Sequence, residues 1–221
     1  MLGPTMSKWD PDVYLMQVAL NQLGFSPGEI DGIDGKMTRG ARERWLLSRK
    51  VNIEVEASPS VLVPASDYSS MVSFYGHPGD EGNLQRIALP YAMRLAWDKS
   101  VRVTSTRVHK KIAKPLVQAL TDLLNHYGHE GLRKHGLDLF GGVYNNRNTR
   151  GGRKKSTHAW GAAIDLNPAE NGNRLPWYAN KVGQKGFGTM PVEAVEIFEA
   201  RGFKHGGRAW GRDAMHFQYT K

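Results

Sequence analysis

Two histidines and two aspartates in the second half of the chain have the types and spacing to hold a metal ion and use it. His158 stands seven residues before Asp165 in KKSTHAWGAAIDLNP, and Asp213 stands three before His216 in GRDAMHFQY. A helix would place His158 and Asp165 on one face, but Gly161, Ile164 and Pro168 argue against a helix there. A continuous strand would point them to opposite faces. They converge only if the chain bends between them, and Gly161 accepts backbone angles that other residues avoid. The strand is therefore expected to begin near Ala162, with His158 on the loop before it. The small Ala162 and Ala163 leave room for close approach.

Asp165 lies between Ile164 and Leu166, so its carboxylate is expected to be buried, where an unpaired charge is costly. A metal ion or another cation removes that cost. His216, in a closing strand, supplies a third ligand. Two histidines, one carboxylate and an open position make a catalytic zinc arrangement. Zinc so held lowers the pKa of its water toward ~7 and polarises a carbonyl. Asp213 is then placed to act as general base without ligating the metal. The competing readings are a hydrogen-bonded polar cluster without metal, and a capping or ion-pairing role for Asp213. The chain has no cysteine, which excludes thiolate sites and disulfides.

The elements that must carry these residues follow from periodicity. MRLAWD (Met93 to Asp98) alternates as a strand. KPLVQALTDLLNHYG reads as a helix with Pro115 at its first position and Leu116, Leu120, Leu123 and Tyr127 on one face, stopped by Gly128. GLDLFGGVY, GAAIDLNP and MHFQY read as strands. MPVEAVEIFEARGF reads as a helix begun by Pro191 and ended by Gly202. The mixture predicts an α+β unit around a mostly antiparallel sheet, spanning residues 74–221.

Ahead of it, Val13, Met16, Leu20 and Leu23 recur at helical spacing, and Gly24 ends the pattern. Pro27-Gly28, Asp31-Gly32 and Asp34-Gly35 mark successive turns. Thr38 can cap a second helix carrying Ala41 and Trp45. Residues 8–50 are thus expected to form a small all-α, three-helix domain. Residues 51–73, rich in Ser, Pro and Val, read as a linker with an edge strand at most.

The 221 residues carry a net charge of +9, which favours anionic partners such as nucleic acid, acidic lipid or an anionic cell wall. The basic run Arg147 to Lys155 has no nucleic-acid motif beside it, so nucleic acid is not expected as a partner. No apolar run approaches the ~20 residues of a membrane span, and the start lacks the apolar core of a signal peptide.

The first module resembles the peptidoglycan-binding domain of many cell-wall hydrolases, through Gln17, Leu20, Leu23, Gly24, Asp31, Gly32, Gly35, Thr38 and Ala41. It departs from that pattern at Trp45-Leu46. STHAWGAAIDLNP followed by DAMHF is similar to the D-Ala-D-Ala metallopeptidase family (VanY-type carboxypeptidases and related phage endolysins), which shares its fold with Hedgehog signalling domains. Ser156, His158, Gly161, Ala163 and Asp165 match its first motif, and Asp213, His216 and Phe217 its second. The resemblance implies that His158, Asp165 and His216 bind Zn2+ and that Asp213 is the general base. It also implies an upstream arginine that stabilises the substrate oxyanion, and GGVYNNR places Arg147 in that role. Ser156, Trp160 and Trp210 are the candidate substrate-binding residues, although either tryptophan could instead be core. His109 is expected at the surface and His205 as structural or at the rim.

The expected protein is a modular phage-type endolysin, a bacteriolytic peptidoglycan hydrolase acting as a monomer. Aspartate at position 213 resembles the branch that cleaves the L-Ala–D-Glu bond. A D-Ala-D-Ala carboxypeptidase is the alternative, and a non-catalytic wall-binding or signalling protein the second. The expected history is synthesis in the host cytoplasm without a signal peptide and action at the periplasm and cell wall after release, with no stable membrane insertion.

Overall fold

A computed structural model describes residues 9–55 and 63–221. The first helix, α1 (Pro11–Gln22), falls where the apolar spacing places it. Asp10 caps it, its carboxylate accepting from the amides of Asp12 and Val13 at 2.7 and 3.3 Å, and Pro11 occupies the first turn, where a missing N–H costs nothing. Leu15, Met16, Ala19 and Leu20 form its buried face. A glycine-rich loop leads to α2 (Lys36–Val55).

The loop is held by Gln17, which is almost fully buried. Its amide nitrogen donates to Asp31 at 2.9 Å and to the Thr38 hydroxyl at 2.8 Å, and its oxygen accepts from the amides of Asp31 and Gly32. Thr38 is therefore an acceptor inside the first turn of α2 rather than its cap. Ala41 and Trp45 do share a buried face. Residues 9–55 carry two helices where a three-helix domain was expected.

The expected linker differs too. Helix α2 continues to Val55, and Tyr68–Tyr75 form a further helix, α3; of the rest of that stretch, residues 56–62 lie outside the described residues and 63–67 form no strand. Asp67 caps α3 by accepting from the Ser70 amide at 2.9 Å. Helical spacing puts Met71 and Tyr75 on one buried face, and the Tyr75 hydroxyl donates to the Tyr219 carbonyl at 2.7 Å. The serines flanking these residues read as linker composition, but the apolar face buries and decides the structure.

A long hairpin follows: β1 (Leu84–Leu95) and β2 (Asp98–His109), antiparallel. The strand expected at Met93 thus begins earlier and ends at Leu95; Trp97 sits in the turn, 71% exposed. The polar β2, half of whose residues are exposed, shows too short an apolar alternation to reveal it. Helix α4 (Lys110–Lys134) starts before Pro115, with the His109 ring accepting from the Lys111 amide at 3.1 Å as its cap. Gly128, at φ 61°, interrupts it as expected, and helix resumes to Lys134.

Strand β3 (Leu139–Gly142) runs parallel to β1; β4 (Ala163–Leu166), β6 (His216–Gln218) and β5 (Lys204–His205) then pair antiparallel in turn, giving the order β2-β1-β3-β4-β6-β5. The sheet is mixed and mostly antiparallel, and the fold is α+β. Short helices α5 (Pro168–Asn171), α6 (Val192–Glu199) and α7 (Gly206–Trp210) complete it.

Leu116, Leu120 and Leu123 of α4 pack with Leu89, Met93, Ile164, Phe198 and Phe217 in one core that also takes in Leu20 and Trp45. Burying each such side chain contributes about 1.5–3 kcal/mol. The core fixes β4 and β6, the two strands that bring Asp165 and His216 opposite one another. Among the described residues no helix is long and apolar enough to cross a membrane.

Candidate metal centre

His158 lies in a 3-10 turn (Thr157–Trp160) capped by Ser156, whose hydroxyl accepts from the His158 amide at 3.4 Å. Gly161 ends the turn in the left-handed conformation, φ 65°. A β-carbon there would meet the Leu84 side chain at 2.8 Å and the His109 amide nitrogen at 3.0 Å. The bend read from the sequence at Gly161 is therefore also a close crossing, where glycine serves for two reasons. Gly141 in β3 makes a second crossing, since a β-carbon on it would lie 2.8 Å from that of Asp165.

Asp165 and His216 are paired across β4 and β6. The Asp165 oxygen Oδ1 lies 3.2 Å from His158 Nε2 and 3.0 Å from His216 Nδ1, and the two ring nitrogens are 3.2 Å apart. All three residues are buried. Tetrahedral zinc with arms of 2.0–2.1 Å needs ligand atoms ~3.3 Å apart, so this triangle fits one face of that polyhedron.

The outer contacts fix which nitrogens are free. His158 Nδ1 lies 2.6 Å from the Val143 carbonyl oxygen and so carries the proton there, leaving Nε2 with its lone pair. His216 Nε2 lies 3.1 Å from the Gln218 side-chain oxygen and 3.2 Å from the Thr157 hydroxyl, which leaves Nδ1 with its lone pair. Three acceptors then face one point. Without a cation they repel, and a metal ion or a proton must stand between them. The electrostatics of the cluster make the same demand. Burial works against ionisation of Asp165, yet His158 and His216 outweigh it and hold its carboxyl below the usual range. Burial likewise works against charge on His216, but Asp165 outweighs it and raises the imidazole.

Asp213 takes a left-handed backbone, φ 65°, close against Gly206, where a β-carbon would collide with the Asp213 carbonyl. Its carboxylate oxygen Oδ1 is buried with no hydrogen-bond partner. Burial raises the carboxyl above the ordinary range; His216 opposes this and Asp165 adds to it, which places Asp213 within electrostatic reach of both ligands. An orphaned carboxylate oxygen within electrostatic reach of the His158–Asp165–His216 triangle has the free acceptor that a proton-accepting group needs when its partner is a water molecule.

Residues 149–219 match the family model described as D-alanyl-D-alanine carboxypeptidase. The chain is a zinc metallopeptidase acting on peptidoglycan peptides. No curated relative and no solved structure matches it. The matched span of the peptidase contains His158, Asp165, Asp213 and His216 together with Ser156, Trp160 and Trp210, and it begins two residues after Arg147.

The remaining residues singled out in the sequence are placed differently. Arg147 is half-buried, and its guanidinium donates to the neighbouring Asn148 carbonyl at 3.2 Å, within its own loop. Ser156 is committed to capping. Trp160 is core rather than cleft wall: it is buried, donates to the Gly76 carbonyl at 2.8 Å and meets Tyr68 edge-on. Trp210 is exposed, its ring 6.2 Å from that of His216, and so stands beside the peptidase site. His109, expected at the surface, is buried with Nε2 3.0 Å from the Tyr75 carbonyl oxygen. His205 is fully buried and stacked on Phe217, and is structural.

Sequence reasoning missed Gln218, Thr157 and the Val143 carbonyl, which set the histidine tautomers. Gln218 had a signal: strand alternation puts residues 216 and 218 on one face, and a glutamine there needs a polar partner.

Proposed function

We propose that this peptidase is a modular, endolysin-type peptidoglycan hydrolase that cleaves a stem-peptide amide, most specifically the L-Ala–D-Glu bond. The observation that carries the reading is the buried triangle of His158, Asp165 and His216 with the unpartnered Asp213 carboxylate beside it. Those three residues would hold zinc, which when bound supplies an activated water and Lewis acidity toward a carbonyl oxygen. Asp213 accepts the proton of the attacking water as the new bond to the carbonyl carbon forms. It delivers that proton to the amide nitrogen as the C–N bond breaks. Arg147, as the family resemblance implies, would turn from its loop carbonyl to the developing oxyanion. Val143, Gln218 and Thr157 keep both imidazoles in the required tautomer throughout.

Residues 8–50 are proposed to hold the wall and raise the local substrate concentration for the unit at 74–221. The net charge of +9 suits an anionic wall. The second reading, favoured by the description of the matching family, is a D-Ala-D-Ala carboxypeptidase. Mass analysis of muropeptides after digestion separates the two. New stem peptides lacking L-Ala support the first, because the alanine stays on the lactyl group. Loss of a single terminal D-Ala supports the second.

A further inference from the structure

Beside the His158–Asp165–His216 cluster stands one exposed aromatic ring, Trp210, and the adjoining loop carries a second, Tyr178, neither used by the hydrolytic chemistry. Trp210 is 42% and Tyr178 50% exposed. Among the described residues neither the indole N–H nor the phenol hydroxyl has a hydrogen-bond partner. Both are nonetheless firmly placed. Trp210 ends α7, where Gly206 makes room for its ring. Tyr178 lies in the loop after α5, which is stitched to the segment leading to Asp213: the Trp177 amide donates to the Gly211 carbonyl at 2.9 Å, and Pro176 bridges Arg212. The Tyr178 ring thereby reaches the position of Gly211, next to Trp210. Lys181, 5.8 Å from the Tyr178 ring centre and 4.8 Å from that of Phe187, ties the loop's rings into one cluster.

Large exposed aromatics with free polar tips, fixed at the rim of a hydrolytic site, mark a surface awaiting a ligand. A flat ring with one polar edge suits a pyranose, which offers C–H groups on its face and hydroxyl or acetamido groups at its edge. We propose that Trp210 and Tyr178 form a platform for the sugar that carries the stem peptide, so that the enzyme reads a glycopeptide rather than a free peptide. This rests on the L-Ala–D-Glu reading above. Chain reach supports the combination. The scissile carbonyl of that bond is separated from the sugar by one amino acid and a lactyl unit, at most about 7 Å. The Trp210 ring is 6.2 Å from the His216 ring. A terminal D-Ala–D-Ala bond lets the sugar lie as far as roughly 17 Å away, so that bond does not by itself hold the sugar at these rings.

The test compares kcat/KM on a disaccharide stem pentapeptide, which ends in D-Ala–D-Ala, with that on the same pentapeptide N-acetylated in place of the sugar. The parent is expected to prefer the glycopeptide at least tenfold. Trp210→Ala and Tyr178→Ala should each cut that preference at least fivefold, while Tyr178→Phe, which keeps the ring, should retain most of it. Zinc content and circular dichroism of each variant confirm folding. Equal rates of the parent on both substrates, or variants that lower both by the same factor, would overturn the platform. Release of terminal D-Ala, with no cut after L-Ala in either substrate, would overturn the bond assignment and the platform with it.

Discussion

His158 Nε2 and His216 Nδ1 face each other across 3.2 Å, with the Asp165 carboxylate completing the triangle, in the tautomers their outer contacts demand. The arrangement is unfavourable unless a cation joins it. Metal analysis should therefore find one zinc per chain, lost on Asp165→Asn or His216→Ala. Folded parent protein that binds no zinc at micromolar free metal would sink the centre.

Gln218 matters because it accepts the His216 Nε2 proton. Gln218→Leu should weaken zinc affinity about 10–100-fold while leaving the strand pairing intact. Competition with a chromophoric chelator measures it, and unchanged affinity would show that Gln218 does not set the tautomer.

Asp213 should separate chemistry from metal binding. Asp213→Asn is expected to lower kcat by about 10²–10⁴, with zinc content and KM little changed. A variant that hydrolyses muropeptides as fast as the parent would remove Asp213 from the reaction.

Gly161→Ala tests the bend. The left-handed backbone alone costs about 1–2 kcal/mol for a residue with a β-carbon, and contacts with Leu84 and the His109 amide add to it. Urea denaturation should show a loss of roughly 2–3 kcal/mol. A loss below ~0.5 kcal/mol would mean the turn relaxes freely.

His205 sets a pH window. Burial lowers its imidazole from 6.5 to about 4, partly offset by its bond to the Ala214 carbonyl. The unfolded chain binds this proton and the folded chain does not. The contribution is thus whole above pH 6.5 and declines as pH falls toward 4, by up to about 1.4 kcal/mol per unit. His205→Gln, which avoids the titration, should flatten the stability profile over that range; an identical slope would exclude His205 as its source.

The juxtaposition of His158, Asp165 and His216, a candidate metal site, was legible in the sequence because its signals are local. His158, Gly161 and Asp165 lie within one turn-and-strand, and His216 follows Asp213 in another. Helices α1 and α6 and the Gly128 break were legible for the same reason, since apolar periodicity and glycine stops act over a few residues. Strand β2 was not. Its first half is largely polar and solvent-facing, and pairing with β1 makes it a strand. Helix α3 was hidden by the serines around Met71 and Tyr75, whose burial only the tertiary fold reveals.

The sequence by itself determined which residues could bind a metal and where the chain must bend to aim them. Only the tertiary structure decided how those atoms are held. It set the tautomers through Val143, Gln218 and Thr157, sent Trp160 into the core, and left Trp210 and Tyr178 exposed at the rim. The physical reason is range. Backbone angles and alternation follow from neighbours in the chain, whereas burial and hydrogen-bond partners depend on residues brought together from as far apart as Val143 and His216.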